Sequence, residues 1–179
     1  MIQLVTIMWV MAVFFAIIGF LRGWGREVIA SAGIILGLFA LFQFDGLIRG
    51  TLLTGAPREQ VYLVQTGIFI AIVFFAYQQR ALQRGAGSTG GGRDNLQEGV
   101  LGGLLGFLNG YLIWGSLWYF MDINEYPFSP YIIAPAPGSP SDQARNLLPL
   151  VILGGGPGGT GDLLAVAVIV LFLFVLIVI

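Results

Sequence analysis

Five long runs of apolar residues constrain this chain more than any other feature of its sequence. The runs cover Ile2–Leu21, Val28–Phe44, Val61–Tyr77, Gly99–Met121 and Leu163–Ile179. A helix needs about 20 apolar residues to cross the hydrocarbon core of a bilayer, and roughly 17 to 25 are tolerated. Because lipid offers no hydrogen bonds, a spanning segment must satisfy its own backbone groups, as a helix does. The sequence therefore predicts an all-α, polytopic membrane helix bundle with five transmembrane helices.

The composition restricts the function as strongly as the fold. Of the residues, 57% are apolar and 9% are charged, whereas soluble domains carry about 25% charged residues. The 8 basic and 9 acidic residues form no basic face, so nucleic acid is not an expected partner. Cysteine and histidine are both absent, which removes the thiol nucleophile, the imidazole base and the usual soft metal ligands. We expect no enzymatic activity, no cofactor and no metal.

The arginines predict the orientation of the chain, since there is no lysine. Two connecting segments, Arg22–Glu27 and Gln78–Glu98, carry five of the eight arginines. Positively charged connections stay in the cytoplasm, which predicts an N-terminus outside and a C-terminus inside. The first apolar run has no basic residue before it, so we interpret it as a retained helix and not as a signal peptide.

The same pattern divides the chain into three parts. Residues 1–121 form a four-helix membrane core, and residues 122–162 form an outer loop rich in proline and glycine. Residues 163–179 form the fifth, C-terminal transmembrane helix. Within the outer loop, the apolar run Leu147–Leu153 is too short to cross a bilayer, so it either re-enters the membrane or lies at its surface.

A stripe of glycines follows one face of the fourth apolar run. Gly102, Gly106 and Gly110 recur every four residues, and Asn109 lies within the stripe. Small residues let helix backbones approach closely in lipid, where burial of apolar area gives little driving force. The stripe predicts packing inside the bundle, and the alternative is a role beyond the bundle, either binding of another protein or lining of a pore. For Asn109 we expect a hydrogen bond to another helix.

The turn between the first two runs is the most informative stretch, since Arg22, Gly23, Arg26 and Glu27 lie within six residues. One interpretation is that both arginines only set topology and contact lipid phosphates. The other is a buried Arg–Glu pair that organises a site or binds a partner, because ionisable groups at bilayer depth are often functional. Of the two arginines, Arg26 is expected to contribute more to such a pair, with its partner on the second or fourth helix.

Two segments together resemble the CvpA family, the colicin V production proteins. The turn reads GFLRGWGREV at Gly19–Val28, similar to the family signature G-x-x-R-G-x-x-R-E. The segment Val100–Asp122 resembles a second signature, L-G-x-x-x-G-x-x-R-G followed by an apolar run and Asp. The matching positions are Leu101, Gly102, Gly106, Gly110 and Asp122. The chain departs from the family at Gly99 and Asn109, where relatives usually carry arginine.

The resemblance implies a non-catalytic, multi-pass protein of the bacterial inner membrane. Such a protein would be an accessory or scaffold in toxin export or envelope maintenance, with the lipid bilayer and other membrane proteins as partners. An alternative is a structural subunit of a larger photosynthetic or respiratory membrane complex, which packs through its glycine and alanine faces. A weaker alternative is a small-solute transporter, suggested by the repeated GFLxG at Gly19–Gly23 and Gly106–Gly110.

Overall fold

The computed structural model describes residues 3–78 and 92–178, except the side chains of residues 92–94, 175, 177 and 178. These residues form eight α-helices and, within the described ranges, no strand. The helices are α1 (Leu4–Arg22), α2 (Trp24–Gln43), α3 (Asp45–Leu47), α4 (Arg58–Gln78), α5 (Gly92–Ile123), α6 (Pro140–Ala144), α7 (Pro149–Gly154) and α8 (Asp162–Val178). A π-helical turn, Ile48–Leu52, follows α3, and a 3-10 turn, Arg145–Leu147, follows α6.

Four helices, α1, α2, α4 and α5, are long and apolar enough to cross a membrane. The predicted all-α membrane bundle is therefore confirmed. The fifth apolar run also forms a helix, but α8 has 17 residues and is shorter than these four. Its crossing of the membrane stays a prediction. Two arginines used to predict the orientation, Arg80 and Arg84, and the side chain of Arg93 lie outside the described part of the chain.

The two central helices of the bundle are α2 and α5. Helix α1 packs on α5, α4 packs on α2, and α8 packs on α2 and α7. Helix α1 runs antiparallel to α5, and α4 runs antiparallel to α2, as the pairing of their glycines shows. One end of the bundle therefore carries the α1–α2 connection, and we call it the hairpin end. The opposite end, where α5 ends and residues 124–161 follow, is the loop end.

The glycine stripe of α5 is the contact surface for α1. A Cβ atom on Gly106 would lie 3.0 Å from the Cα of Gly19 and closer still to the Phe15 carbonyl oxygen. A Cβ atom on Gly110 would lie 2.8 Å from the Cα of Ala12. Because backbone atoms meet across the interface, no larger side chain fits there. The stripe is thus an internal packing surface, which was the first of the two interpretations.

The segment after α5 folds back onto the loop end of the bundle. Helix α7 begins at Pro149, whose ring fills the space beside Gly115 of α5. It ends at Gly154 and is followed by Gly155 in the left-handed conformation (φ 81°). Leu148 and Leu150, which lie on either side of Pro149 in the sequence, are almost completely buried. The apolar run predicted to re-enter the membrane or to lie at its surface thus packs against α5 and α8.

Candidate functional site: a buried polar cluster at the helix hairpin

A single residue, Gly23, separates α1 from α2 at the hairpin end. Its φ of 84° lies in the region that favours glycine, and its N–H donates to the carbonyl oxygen of Gly19 at 2.9 Å. The break ends α1 at Arg22 and starts α2 at Trp24. Glu27 consequently lies in the first turns of α2, where the positive end of the helix dipole stabilises a carboxylate.

Glu27 is completely buried, and both of its carboxylate oxygens accept hydrogen bonds from other helices. Its Oε1 accepts from Arg22 Nη1 at 2.7 Å. Its Oε2 accepts from Asn109 Nδ2 at 2.8 Å and from the Tyr77 hydroxyl at 3.3 Å. A buried carboxylate is tolerated when a cation and further hydrogen-bond donors replace its water shell. Here Arg22 is the cation, and Asn109 and Tyr77 are the further donors.

Arg22 joins the cluster to the end of α4 as well. Its Nη2 donates to the backbone carbonyl of Tyr77 at 3.1 Å, and its guanidinium carbon lies 4.5 Å from the centre of the Tyr77 ring. The planar guanidinium thus makes a charge-assisted bond, a bond to a free carbonyl at a helix end and a cation–π contact. The positive charge of Arg22 therefore interacts with Glu27 and Tyr77 within the protein.

Asn109 of α5 completes the cluster from the centre of the glycine stripe. It is completely buried, and the Ser31 hydroxyl lies 2.7 Å from its Oδ1 and 2.9 Å from the carbonyl oxygen of Glu27. The prediction that Asn109 bonds to another helix is confirmed. The hairpin cluster, defined as Arg22, Glu27, Ser31, Tyr77 and Asn109, therefore connects the four long helices through their side chains.

The structure separates the residues that the sequence had grouped. Glu27 pairs with Arg22, whereas Arg26, an exposed residue, had been expected to have the larger role. The physical reason is the break at Gly23, which separates Arg22 and Glu27 onto two helices that face each other. Gly102, Gly106 and Gly110 face α1 beside the cluster. Asp122 lies at the opposite, loop end.

Asp122 anchors the loop that follows α5. Its carboxylate lies 3.0 Å from Arg145 Nη2 and accepts from the Tyr126 hydroxyl at 3.0 Å. The same hydroxyl accepts from Trp118 Nε1 at 3.0 Å. Burial raises the pKa of Tyr126 to about 12, so its hydroxyl keeps the proton that it donates to Asp122. The hydrogen bond that Arg145 donates to Asp122 raises the pKa of Arg145.

A second polar group at the loop end was missed by the sequence analysis. Asp45 Oδ1 accepts from Arg49 Nε at 2.8 Å and from Gln65 Nε2 at 2.7 Å. Gln65 Oε1 accepts from Arg49 Nη2 at 3.1 Å and from Asn124 Nδ2 at 3.0 Å. The spacing of Asp45 and Arg49, four residues apart, was the signal for this cluster.

No protein family model matches the chain, and no curated protein or solved structure is significantly similar to it.

Proposed function

We propose that the chain is a non-catalytic accessory protein of the bacterial inner membrane, similar to CvpA and active in toxin export or envelope maintenance. The observation that carries this proposal is the hairpin cluster. Arg22 and Glu27 lie in the turn that resembles the first family signature, and Asn109 lies where the chain departs from the second. All three hold the helices together: Glu27 and Asn109 have no exposed surface, and their polar atoms bond within the chain.

A closed cluster of this kind favours a stabilising role over a catalytic one. A general base or nucleophile must reach its substrate, whereas both oxygens of Glu27 already accept protein donors. We infer that the bundle acts by association with other envelope components through its surface. The N-terminus outside and the C-terminus in the cytoplasm are part of this proposal and rest on the distribution of arginines.

A structural subunit of a larger membrane complex is the second candidate. It is favoured by α8, which packs on α2 and α7 and leaves a row of large apolar side chains exposed. These side chains are Leu163, Val166, Ile169, Val170, Phe172, Leu173 and Leu176. A small-solute transporter is a weaker third candidate, which is favoured by a cavity at the loop end.

One strain comparison separates the candidates. In one strain the gene is deleted, and envelope permeability and peptide-toxin secretion are measured. In a second strain the gene is replaced by an affinity-tagged copy, and the protein is purified in mild detergent. An accessory protein predicts an envelope or secretion defect on deletion and no partner in fixed stoichiometry. A structural subunit predicts a complex of constant stoichiometry and loss of that complex on deletion. An intact envelope with normal secretion would contradict the proposed function.

A further inference from the structure

The loop end contains a cavity of about 410 Å³ between α2, α5 and the glycine-rich segment before α8. Its volume lies in the range of small-molecule sites, which is about 300–1,000 Å³. One wall is apolar and includes Leu41, Phe42, Phe120, Ile123 and Leu150. The other wall carries Asp45, Arg49 and Gln65, which come from α3, the π-helical turn and α4.

The two charged residues of the cavity have hydrogen-bonding capacity left over. Arg49 donates through Nε to Asp45 and through Nη2 to Gln65, while its Nη1 donates to no acceptor in the described part of the chain. Asp45 accepts both of its bonds at Oδ1, so Oδ2 has no donor among the described residues. The side chains of Asp45 and Arg49 are 39% and 29% exposed. The site therefore offers one anionic and one cationic contact side by side.

Gln65 holds these two contacts in place. Its side chain is buried, and its amide bonds to Asp45 through the nitrogen and to Arg49 through the oxygen. Asn124, which is also buried, donates to the same oxygen and fixes the orientation of the amide. The geometry of the charged pair is thus set by residues that do not themselves carry charge, which is the arrangement of a preorganised site.

We propose that this cavity binds a zwitterion with an apolar body, namely a molecule with a primary ammonium and a neighbouring carboxylate or phosphate. Arg49 Nη1 would donate to the oxyanion, Asp45 Oδ2 would accept from the ammonium, and the apolar wall would cover the remainder. Among the described residues of its lining, Asp45 and Arg49 alone carry charge, so the two charges cancel, and a ligand without net charge matches them. The inference is independent of the proposed accessory function.

Two sources supply this chemistry, and the binding experiment distinguishes them. Native mass spectrometry tests a lipid source. The full chain is placed in an equimolar mixture of phosphatidylethanolamine, phosphatidylcholine and phosphatidylglycerol, and the lipids that stay bound after its release are identified. Selective retention of phosphatidylethanolamine is expected, because the quaternary ammonium of phosphatidylcholine donates no hydrogen bond and phosphatidylglycerol has no cation. Calorimetric titration with leucine tests a free zwitterion, with N-acetyl-leucine and leucine amide as controls that each lack one charge.

Three variants connect the binding to the cavity. Asp45→Asn and Arg49→Gln each remove one charge and should weaken binding about tenfold or more. Gly46→Leu leaves the charges intact but fills the cavity, because Gly46 belongs to its lining and a Cβ atom there meets open space. Gly67→Leu is the matched control, since its Cβ atom also meets open space and Gly67 lies outside the lining.

The lipid source is supported if the chain retains phosphatidylethanolamine selectively, and if Gly46→Leu abolishes this retention while Gly67→Leu preserves it. Leucine binding with the same dependence on the variants, and no lipid preference, supports the free zwitterion. Equal retention of all three lipids together with no leucine binding would overturn the proposal, as would binding that Gly46→Leu leaves unchanged. If a charge variant unfolds in detergent, the pair Gly46→Leu and Gly67→Leu decides alone.

Discussion

At the scale of single residues, the pair of Arg22 and Glu27 is the most consequential contact in the molecule. The Glu27 side chain is completely buried and that of Arg22 is 20% exposed, so neither charge is well solvated. Removal of one partner would leave the other charge buried without compensation, which costs far more than the loss of a solvated pair. The exposed pair of Arg58 and Glu125 at the loop end provides the comparison, since both side chains are more than 60% exposed.

We expect Arg22→Gln to lower the free energy of unfolding by about 3–5 kcal/mol, because it leaves Glu27 without its cation. Arg58→Gln, the matched control, should cost less than about 1 kcal/mol. Arg22→Lys should fall between them, since an ammonium cannot donate in one plane to both Glu27 and the Tyr77 carbonyl. Unfolding by sodium dodecyl sulphate in mixed micelles measures all three. Equal costs for Arg22→Gln and Arg58→Gln would show that the buried pair contributes no more than an exposed one.

Tyr126→Phe tests the anchor of the loop after α5. The substitution removes the acceptor for the buried Trp118 indole and the donor to Asp122. An unpaired buried donor costs about 1–3 kcal/mol, and the free energy of unfolding should fall by that amount. Tyr131→Phe is the control, because Tyr131 is 93% exposed. The interpretation of Tyr126 as an anchor fails if both variants unfold like the wild type.

The sequence predicted these contacts unevenly. An interhelical bond from Asn109 was predicted from residue type and the cost of burying polar groups in lipid, whereas a buried Arg–Glu pair at the hairpin was only one of two interpretations. The choice of Arg22 over Arg26 depends on the helix break at Gly23, whose geometry a motif does not specify. The cluster of Asp45, Arg49 and Gln65 joins residues from separate elements, so sequence spacing alone could show only its Asp45–Arg49 part.

At the scale of helices, the interface between α1 and α5 depends on the absence of side chains. We expect Gly106→Leu to destabilise the bundle severely, because its Cβ atom would meet backbone atoms of Phe15 and Gly19, which cannot rotate away. Gly67→Leu introduces the same side chain where the Cβ atom meets open space and should be nearly neutral. Thermal unfolding in detergent compares the two variants. Equal midpoints would contradict close packing of α1 on α5.

The long helices were predictable because apolar length alone identifies them, and their ends differ from the prediction by a few residues. The short helices α6 and α7 were not predicted, although each has a local signal. Ser139 accepts from the backbone N–H of Asp142 at 3.2 Å and thereby caps α6, and Pro149 begins α7. Such signals are weak on their own, and packing of α6 against α1 and of α7 against α5 and α8 decides whether these short helices form.

At the scale of the whole molecule, the central claim is that the bundle spans a membrane with the hairpin end and the loop end on opposite sides. The apolar lengths of α1, α2, α4 and α5 support this arrangement. The hairpin cluster and the polar group of Asp45, Arg49 and Gln65 lie at opposite ends of the bundle. The proposed orientation adds that the hairpin end faces the cytoplasm and the loop end faces outward.

Single cysteines test this claim most directly, since the chain contains none of its own. Gly25→Cys marks the hairpin end, where a Cβ atom meets open space, and Ala136→Cys marks an exposed position at the loop end. In intact spheroplasts, an impermeant maleimide should label Cys at position 136, while position 25 should react only after the membrane is permeabilised. The reverse pattern would overturn the orientation alone. Labelling of both positions from the same side would contradict a membrane-spanning bundle.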